Sequence, residues 1–234
     1  MALHQGTPTA VEGGMFPETE WRYRSHADVP EPFVEPLPEL IRTVRVWDIA
    51  SSEGSGDYTV GTLLGLTRDN RVAILERERF QHAPGGVLAK IKAVAETDGF
   101  EIPVLIEKER SGAGETVVDT YKRELVGYNV QGVRAEGDKE SRATPYSILQ
   151  NGNDVLLPHS ASWLREWIKE HSQMDGQGKR PKHDDQIDTA AYGVRFLLAG
   201  GRSVMWSAAD IEARDDMTNE EKLEVAALKQ LLGV

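Results

Sequence analysis

The sequence predicts an α/β domain built on a mixed sheet with helices on its faces, and three observations carry that expectation. Three β-branched runs follow one another across short polar connections between Ile41 and Phe80, the pattern of an antiparallel meander. From Gly86 onward, stretches with helical apolar spacing alternate with short apolar runs, the pattern of β-α-β crossovers. The chain has 234 residues, 39% of them hydrophobic, and no cysteine, so a core of ordinary size must hold it together without disulfides.

Each element has its own local signal. Residues 1–40 read as an extended arm or linker, because Pro30, Pro32, Pro36 and Pro38 interrupt any periodicity; one short element is expected near Glu18–Arg24. The organised domain is expected over 41–200. Ile41–Ala50 (IRTVRVWDIA) alternates as a strand, Ser51–Asp57 is a Gly/Ser loop, and Tyr58–Leu66 and Arg71–Phe80 complete the meander around the turn Thr67–Asn70. Gly86–Thr97 places Val87, Ile91, Val94 and Ala95 at helical spacing. Ile102–Glu107 is a compact apolar strand, Gly114–Leu125 a helix, and Gly127–Val133 another strand. This gives a five-stranded mixed sheet, part antiparallel meander and part parallel. Ser141–Gln150 is a predicted helix, Val155–Leu157 a further short strand, and Ala161–Met174 an amphipathic helix with Trp163 and Trp167 on its apolar side. His183–Leu198 opens with acids and turns apolar, as a helix start favours. Residues 201–234 form an acidic tail with a predicted helix at Thr218–Leu232.

The formal net charge is −11, and most of it lies in the flanks. Residues 1–41 carry a net −5 and 201–234 a net −3, which leaves only −3 over residues 42–200. Bulk charge therefore does not draw this chain to nucleic acid, but bound cations would bring the central domain close to neutral. No apolar run reaches the ~18 residues of a membrane span, and no signal-peptide pattern opens the chain.

The chemistry points to carboxylates. Asp48 follows Trp47 inside the first strand of the meander, Glu107 ends the strand VLIE, and Asp184 and Asp185 open the last helix of the domain. Those two strands are expected to be neighbours, and a helix packed across them brings its first turn over both positions. Clustered buried carboxylates repel one another unless a cation is shared. Oxygen donors without cysteine favour Mg²⁺ or Mn²⁺, and two such ions suit phosphodiester hydrolysis. Each residue also has a plainer reading: a strand-end hydrogen bond for Asp48, a surface position for Glu107, and helix N-capping for the Asp pair.

Five blocks in order over roughly residues 12–195 resemble the nuclease domain of phage terminase large subunits: GGMFPETEWRY, VRVWDIASSEGSGDYTVGTLLG, VLIEKERSGAGETVVDTYKRELVGYNV, DKESRATPYSILQNGNDVLLP and HDDQIDTAAYG. The resemblance implies a ribonuclease H-like fold and a two-metal endonuclease that cuts concatemeric double-stranded DNA. It implies catalytic roles for Asp48, Glu107 and Asp185, with Asp184 beside Asp185 as a further metal ligand. Glu109 and Asp188 are the alternatives, and His183 is a candidate general acid or base. It implies as partners a packaging ATPase, a small terminase subunit and a portal, and a location in the host cytoplasm. No Walker A pattern G-x-x-x-x-G-K-[ST] occurs in the chain, so no ATPase site is expected here.

Lys139 and Arg142 in DKESRA, and Lys179, Arg180 and Lys182 in GKRPK, are the candidate contacts to DNA phosphates. Ser51 and Ser52 after Asp48 are weaker ones. Two other functions fit the same residues: another ribonuclease H-like nuclease acting on junctions or RNA–DNA hybrids, and an inactive docking domain of the packaging motor.

Overall fold

A computed structural model describes residues 14–25, 34–50, 58–108, 113–134 and 137–200. Glu109, Ser51, Ser52 and the tail helix at Thr218–Leu232 lie outside the described residues. A short 3₁₀ turn at Glu18–Glu20 precedes β1 (Arg22–Arg24). There follow β2 (Leu40–Asp48), β3 (Thr59–Thr67), β4 (Val72–Phe80), α1 (Pro84–Asp98), β5 (Val104–Lys108) and α2 (Ala113–Glu124). The remainder is β6 (Val130–Arg134), α3 (Lys139–Asn151), β7 (Val155–Pro158), α4 (Leu164–His171) and α5 (Asp185–Leu198).

One seven-stranded sheet runs in the order β1-β7-β4-β3-β2-β5-β6. β2, β3 and β4 form the expected antiparallel meander, and β5 and β6 add in parallel beside β2. The sheet carries two strands more than the five expected: on the other side β7, anticipated as a further short strand at Val155–Leu157, pairs in parallel with β4, and β1, inside the short element anticipated near Glu18–Arg24, pairs in parallel with β7. β1 gave no periodic signal for a physical reason. It is three residues long, at the sheet edge, and its inward residue is Arg24, buried and bonded to the carbonyls of Ser25 and Ile74. Phe16 and Trp21, just ahead of it, are buried against Tyr146 and His171.

The two faces of the sheet bury separate cores. On one, Trp47, Val104 and Ile106 pack against Val87, Ile91 and Val94 of α1 and Val118 and Tyr121 of α2. On the other, Val44, Val46, Leu64, Ile74 and Leu105 pack under α3, α4 and α5. Side chains alternate along a strand. Asp48 therefore shares the α5 face with Val44 and Val46, and Glu107 shares it with Leu105. The opposite face holds one buried charge on β2, Arg45, which Asp98 binds through both oxygens and Glu76 through one.

Two local devices bring α5 onto the sheet. Gly193 presents no side chain where a Cβ would stand 2.4 Å from Leu64 Cδ1, so the helix backbone rests directly on β3. Thr189 Oγ1 lies 2.8 Å from Thr62 Oγ1, a hydrogen bond that fixes the helix along its axis. A third device acts on β4: the pairing register with β3 shifts between Leu63 and Leu64, leaving Leu75 as an extra residue. Such a bulge re-aims the residues beyond it. Val72 and Ile74 face α5, and after the bulge Arg77 and Arg79, rather than Glu76 and Glu78, continue on that face. Among the described residues no helix is long and apolar enough to cross a membrane.

Candidate metal centre

β2 and β5 are adjacent parallel strands, with Trp47 opposite Ile106, and both end at the same rim of the sheet. Asp48 and Glu107 are therefore delivered to neighbouring positions beyond the carboxyl ends of the strands, where open α/β sheets place their ligands. α5 starts over this rim. Asp188, one turn into the helix, points at the sheet. One carboxylate oxygen from each of Asp48, Glu107 and Asp188 lies within 4.8 Å of the other two.

Asp185 and Asp184 flank that trio. Asp185 is close enough to raise the energy of the Asp48 carboxylate, and its Oδ2 is buried with no hydrogen-bond partner among the described residues. Asp184 is the N-cap residue of α5, but its side chain makes no capping bond. It receives the ammonium of Lys139 at 2.5 Å instead. Of the acids singled out in the sequence, Asp48 and Glu107 thus sit within one cluster. The alternative Asp188 supplies the third close oxygen, and Asp184 and Asp185 border it. The helix start explains the difference, since Asp188 lies a full turn in, on the face that meets the strands.

The electrostatics show how unfavourable the bare cluster is. Burial first, then Glu107, Asp185 and Asp188, push the Asp48 carboxyl well above the usual carboxylate range. Burial and then Asp188 push Glu107 up to about 7, and burial and then Asp184 push Asp185 up to about 6. Two cations of α3 counter this. Asp138 caps that helix by accepting the Ser141 N–H at 2.7 Å, which aims the first-turn residues Lys139 and Arg142 at α5. Lys139 Nζ lies 2.8 Å from Asp188 Oδ2, and Arg142 Nη2 lies 3.0 Å from Asp188 Oδ1. Burial opposes the charge on Lys139, but Asp188 and Asp184 outweigh it and hold the amine above its ordinary range.

Three residues at the centre had no sequence signal of their own. Tyr192, four residues after Asp188 and so on the same helical face, donates its hydroxyl to Glu107 Oε1 at 3.1 Å. Glu107 Oε2 is left buried without a partner among the described residues. Glu170 of α4 is buried, and its Oε1 accepts the backbone N–H groups of Gln186 at 2.8 Å and Ile187 at 3.3 Å. It does what an N-cap side chain does, from another helix. Arg79, past the bulge on β4, has its guanidinium 3.7 Å from the centre of the Tyr58 ring.

The remaining basic candidates divide. Lys139 and Arg142 face carboxylates. Arg180 forms a two-pronged pair with Glu140 at 2.7 and 2.8 Å. Lys179 and Lys182 are exposed on the loop before α5. His183 packs edge-on against the Tyr58 ring, centroids 5.4 Å apart, and is not a member of the close carboxylate group.

Comparison with curated proteins finds no match. Solved structures do match in fold. The large terminase nuclease domain of P22 superposes with a TM-score of 0.57 at 17% identity, covering 80% of this chain and 94% of that one. The large terminase nuclease of thermophilic phage G20c with bound magnesium superposes at 0.52 and 16% identity, covering 78% and 97%. The large terminase of a second thermophilic bacteriophage superposes at 0.52 and 15% identity over 79% of this chain but 43% of its own. Residues 45–195 match the family described as the terminase RNase H-like domain, a span that includes every acid of the cluster, and the chain belongs to that family.

Proposed function

We propose that this chain is a metal-dependent DNA endonuclease that cuts concatemeric double-stranded viral DNA for packaging. The observation that carries the reading is the convergence of Asp48, Glu107 and Asp188 from three separate elements, with Asp185 beside them. Four carboxylates serve no evident packing purpose there, and two of their buried oxygens lack a partner among the described residues. All donors are hard oxygens, which suits Mg²⁺ or Mn²⁺ and not a soft metal.

Asp48, Glu107, Asp185 and Asp188 are the residues that would hold the ions. Bound ions would activate water and neutralise charge on the phosphodiester. Tyr192 holds Glu107 in orientation through one oxygen and leaves the other free to ligate. Glu170 anchors the first turn of α5, and with it the positions of Asp185 and Asp188. Lys139 and Arg142 lie against the acids on the α3 side, where they can meet a DNA phosphate once ions take over the carboxylates. A packaging ATPase, a small terminase subunit and a portal are the partners this role requires, and the terminase of the second thermophilic phage has more than half its length outside the shared region.

The test is the substitution Asp48→Asn. Plasmid nicking with Mn²⁺ should be abolished, Mn²⁺ binding by calorimetry should weaken, and the melting temperature should hold or rise as repulsion is relieved. A variant that nicks at the wild-type rate overturns the mechanism. Cutting of junctions or RNA–DNA hybrids in preference to duplex DNA would move the chain to another substrate class. A wild-type protein that binds no Mn²⁺ would make it a docking domain.

A further inference from the structure

Beside the carboxylate cluster, on the β4 and α4 side, lies a pocket of about 220 Å³ whose lining includes Arg79, Lys169, Lys182 and His183. The four come from three elements: Arg79 from β4, Lys169 from α4, and Lys182 and His183 from the segment leading into α5. The pocket also has two acids, Glu166 and Glu170, but both are engaged. Glu170 holds the start of α5, and Glu166 is paired with Arg77.

The basic side chains nearest the acids are already committed to carboxylates: Lys139 and Arg142 to Asp184 and Asp188, and Arg180 to Glu140. In the pocket, by contrast, Lys169 and Lys182 are exposed. Arg79 lies over the Tyr58 ring, its Nε buried with no hydrogen-bond partner among the described residues and the carboxylate of Glu166 3.8 Å away. A concave cationic site is thus built into a chain of net charge −11.

Its position relative to the acids follows from the sheet register. Asp48 pairs with Val60, and Val60 pairs with Arg79. Arg79 is therefore level with Asp48, two strands away, about 10 Å at the spacing of paired strands. The bulge at Leu75 puts it on the same face. Had alternation run unbroken through Leu75, Glu78 and Phe80 would take the α5 side and the pocket would lose its arginine.

We propose that this pocket is a backbone-phosphate site for the DNA substrate, in which Arg79, Lys169 and Lys182 hold a phosphodiester of the strand whose neighbouring linkage lies over Asp48 and Glu107. The inference rests on the nuclease reading for its choice of ligand. It adds to Lys139 and Arg142, which are held by carboxylates, a cationic contact that places the strand without reading its bases.

The experiment measures binding without cleavage. A fluorescein-labelled duplex of about 20 base pairs is titrated with the full chain in EDTA, by anisotropy, between about 50 and 200 mM salt. The double substitution Lys169→Ala with Lys182→Ala should weaken binding about tenfold and reduce the slope of log K against log salt by roughly two. Arg79→Gln should weaken it as well, with its melting temperature measured alongside. Lys90→Ala with Lys92→Ala, the same charge change on α1 across the sheet, should leave both quantities unchanged. Wild-type affinity and slope in the Lys169/Lys182 variant overturn the pocket, as does an equal loss in the α1 control. Loss of nicking in Asp48→Asn with binding intact tests the nuclease reading separately, so the two failures are distinguishable.

Discussion

Lys139 and Asp188 form an ion pair at the border of the carboxylate cluster, Nζ to Oδ2 at 2.8 Å, and Asp184 takes the same ammonium at 2.5 Å. The lysine is a cation supplied by the protein to acids that would otherwise repel. The arrangement sets two demands against each other. Without divalent ions, Lys139 relieves the repulsion; with them, it competes for the same oxygens.

Lys139→Met separates the two. In EDTA the variant should melt several degrees below wild type, since about 1 kcal/mol corresponds to ~2–4 °C in a domain of this size. Its Mn²⁺ affinity by calorimetry should rise severalfold, because no ammonium has to be displaced, and saturating Mn²⁺ should close most of the gap in melting temperature. Equal Mn²⁺ affinity in the two proteins would show that the ammonium and the ion do not contend for one place.

Glu170 yields a second prediction, on stability and activity together. Its Oε1 takes two backbone N–H groups at the start of α5, and the loss of a capping acceptor typically costs ~1–2 kcal/mol. Glu170→Ala should lower the melting temperature accordingly and depress cleavage further, since Asp185 and Asp188 move with the helix start. Glu170→Gln keeps an acceptor oxygen and should recover most of both. Cleavage at the wild-type level in Glu170→Ala, despite the lost stability, would show that the helix start stays in place without it.

Much of this centre was legible in the sequence because it follows from periodicity. Asp48 and Glu107 could be placed on one face by counting from Val46 and Leu105, and α5 announced its start with acids. What was not legible depends on contacts between distant elements. Nothing near Glu170 says that its carboxylate caps a helix beginning at Asp185. The bulge at Leu75 is invisible in VAILERERF, where strict alternation would have sent Glu76 and Glu78, not Arg77 and Arg79, to the α5 face. Asp188 was harder to rank than its neighbours Asp184 and Asp185, since only the packing of α5 on β3 decides which turn meets the strands. β1 was legible only as a short element near Glu18–Arg24 and not as a strand, for the reason already given: a buried arginine at a sheet edge breaks the apolar pattern.

Gly193 gives a third prediction, about that packing. A Cβ on residue 193 would stand 2.4 Å from Leu64 Cδ1, and Leu64 is fully buried. Gly193→Ala should therefore cost ~1–3 kcal/mol by overpacking and lift the first turn of α5 from the rim, lowering cleavage more than stability alone explains. Leu64→Ala is destabilising by itself but leaves room for the new methyl group. The double variant should be more stable than the sum of the two single effects, by a coupling of about 1 kcal/mol or more. Strict additivity would mean that the helix does not rest on Leu64.

His171 supplies the fourth, through pH. It is fully buried among Phe16, Trp21, Tyr146 and Trp167. Its Nδ1 donates to the Trp167 carbonyl at 2.7 Å, so Nε2 accepts the Tyr146 hydroxyl at 3.1 Å and the ring is neutral. Burial lowers its pKa to about 3. Between pH 6.5 and 3 the unfolded chain binds a proton there that the folded chain refuses, so stability from this group is present above pH 6.5 and falls as the pH drops. The limit is about 1.4 kcal/mol per pH unit. The acidic cluster works in the opposite direction, because Glu107 and Asp185, with pKa values raised to about 7 and 6, gain stability as they protonate on acidification. Wild type alone would show the sum of the two. The difference between wild type and His171→Gln cancels the carboxylates and isolates the imidazole. Measured by urea unfolding, that difference should be constant from about pH 7.5 to about 6.5 and then shift against wild type with each further unit of acidification, approaching the linkage limit. A difference independent of pH down to about 4.5 would mean that the imidazole takes up its proton as readily inside the fold as outside it.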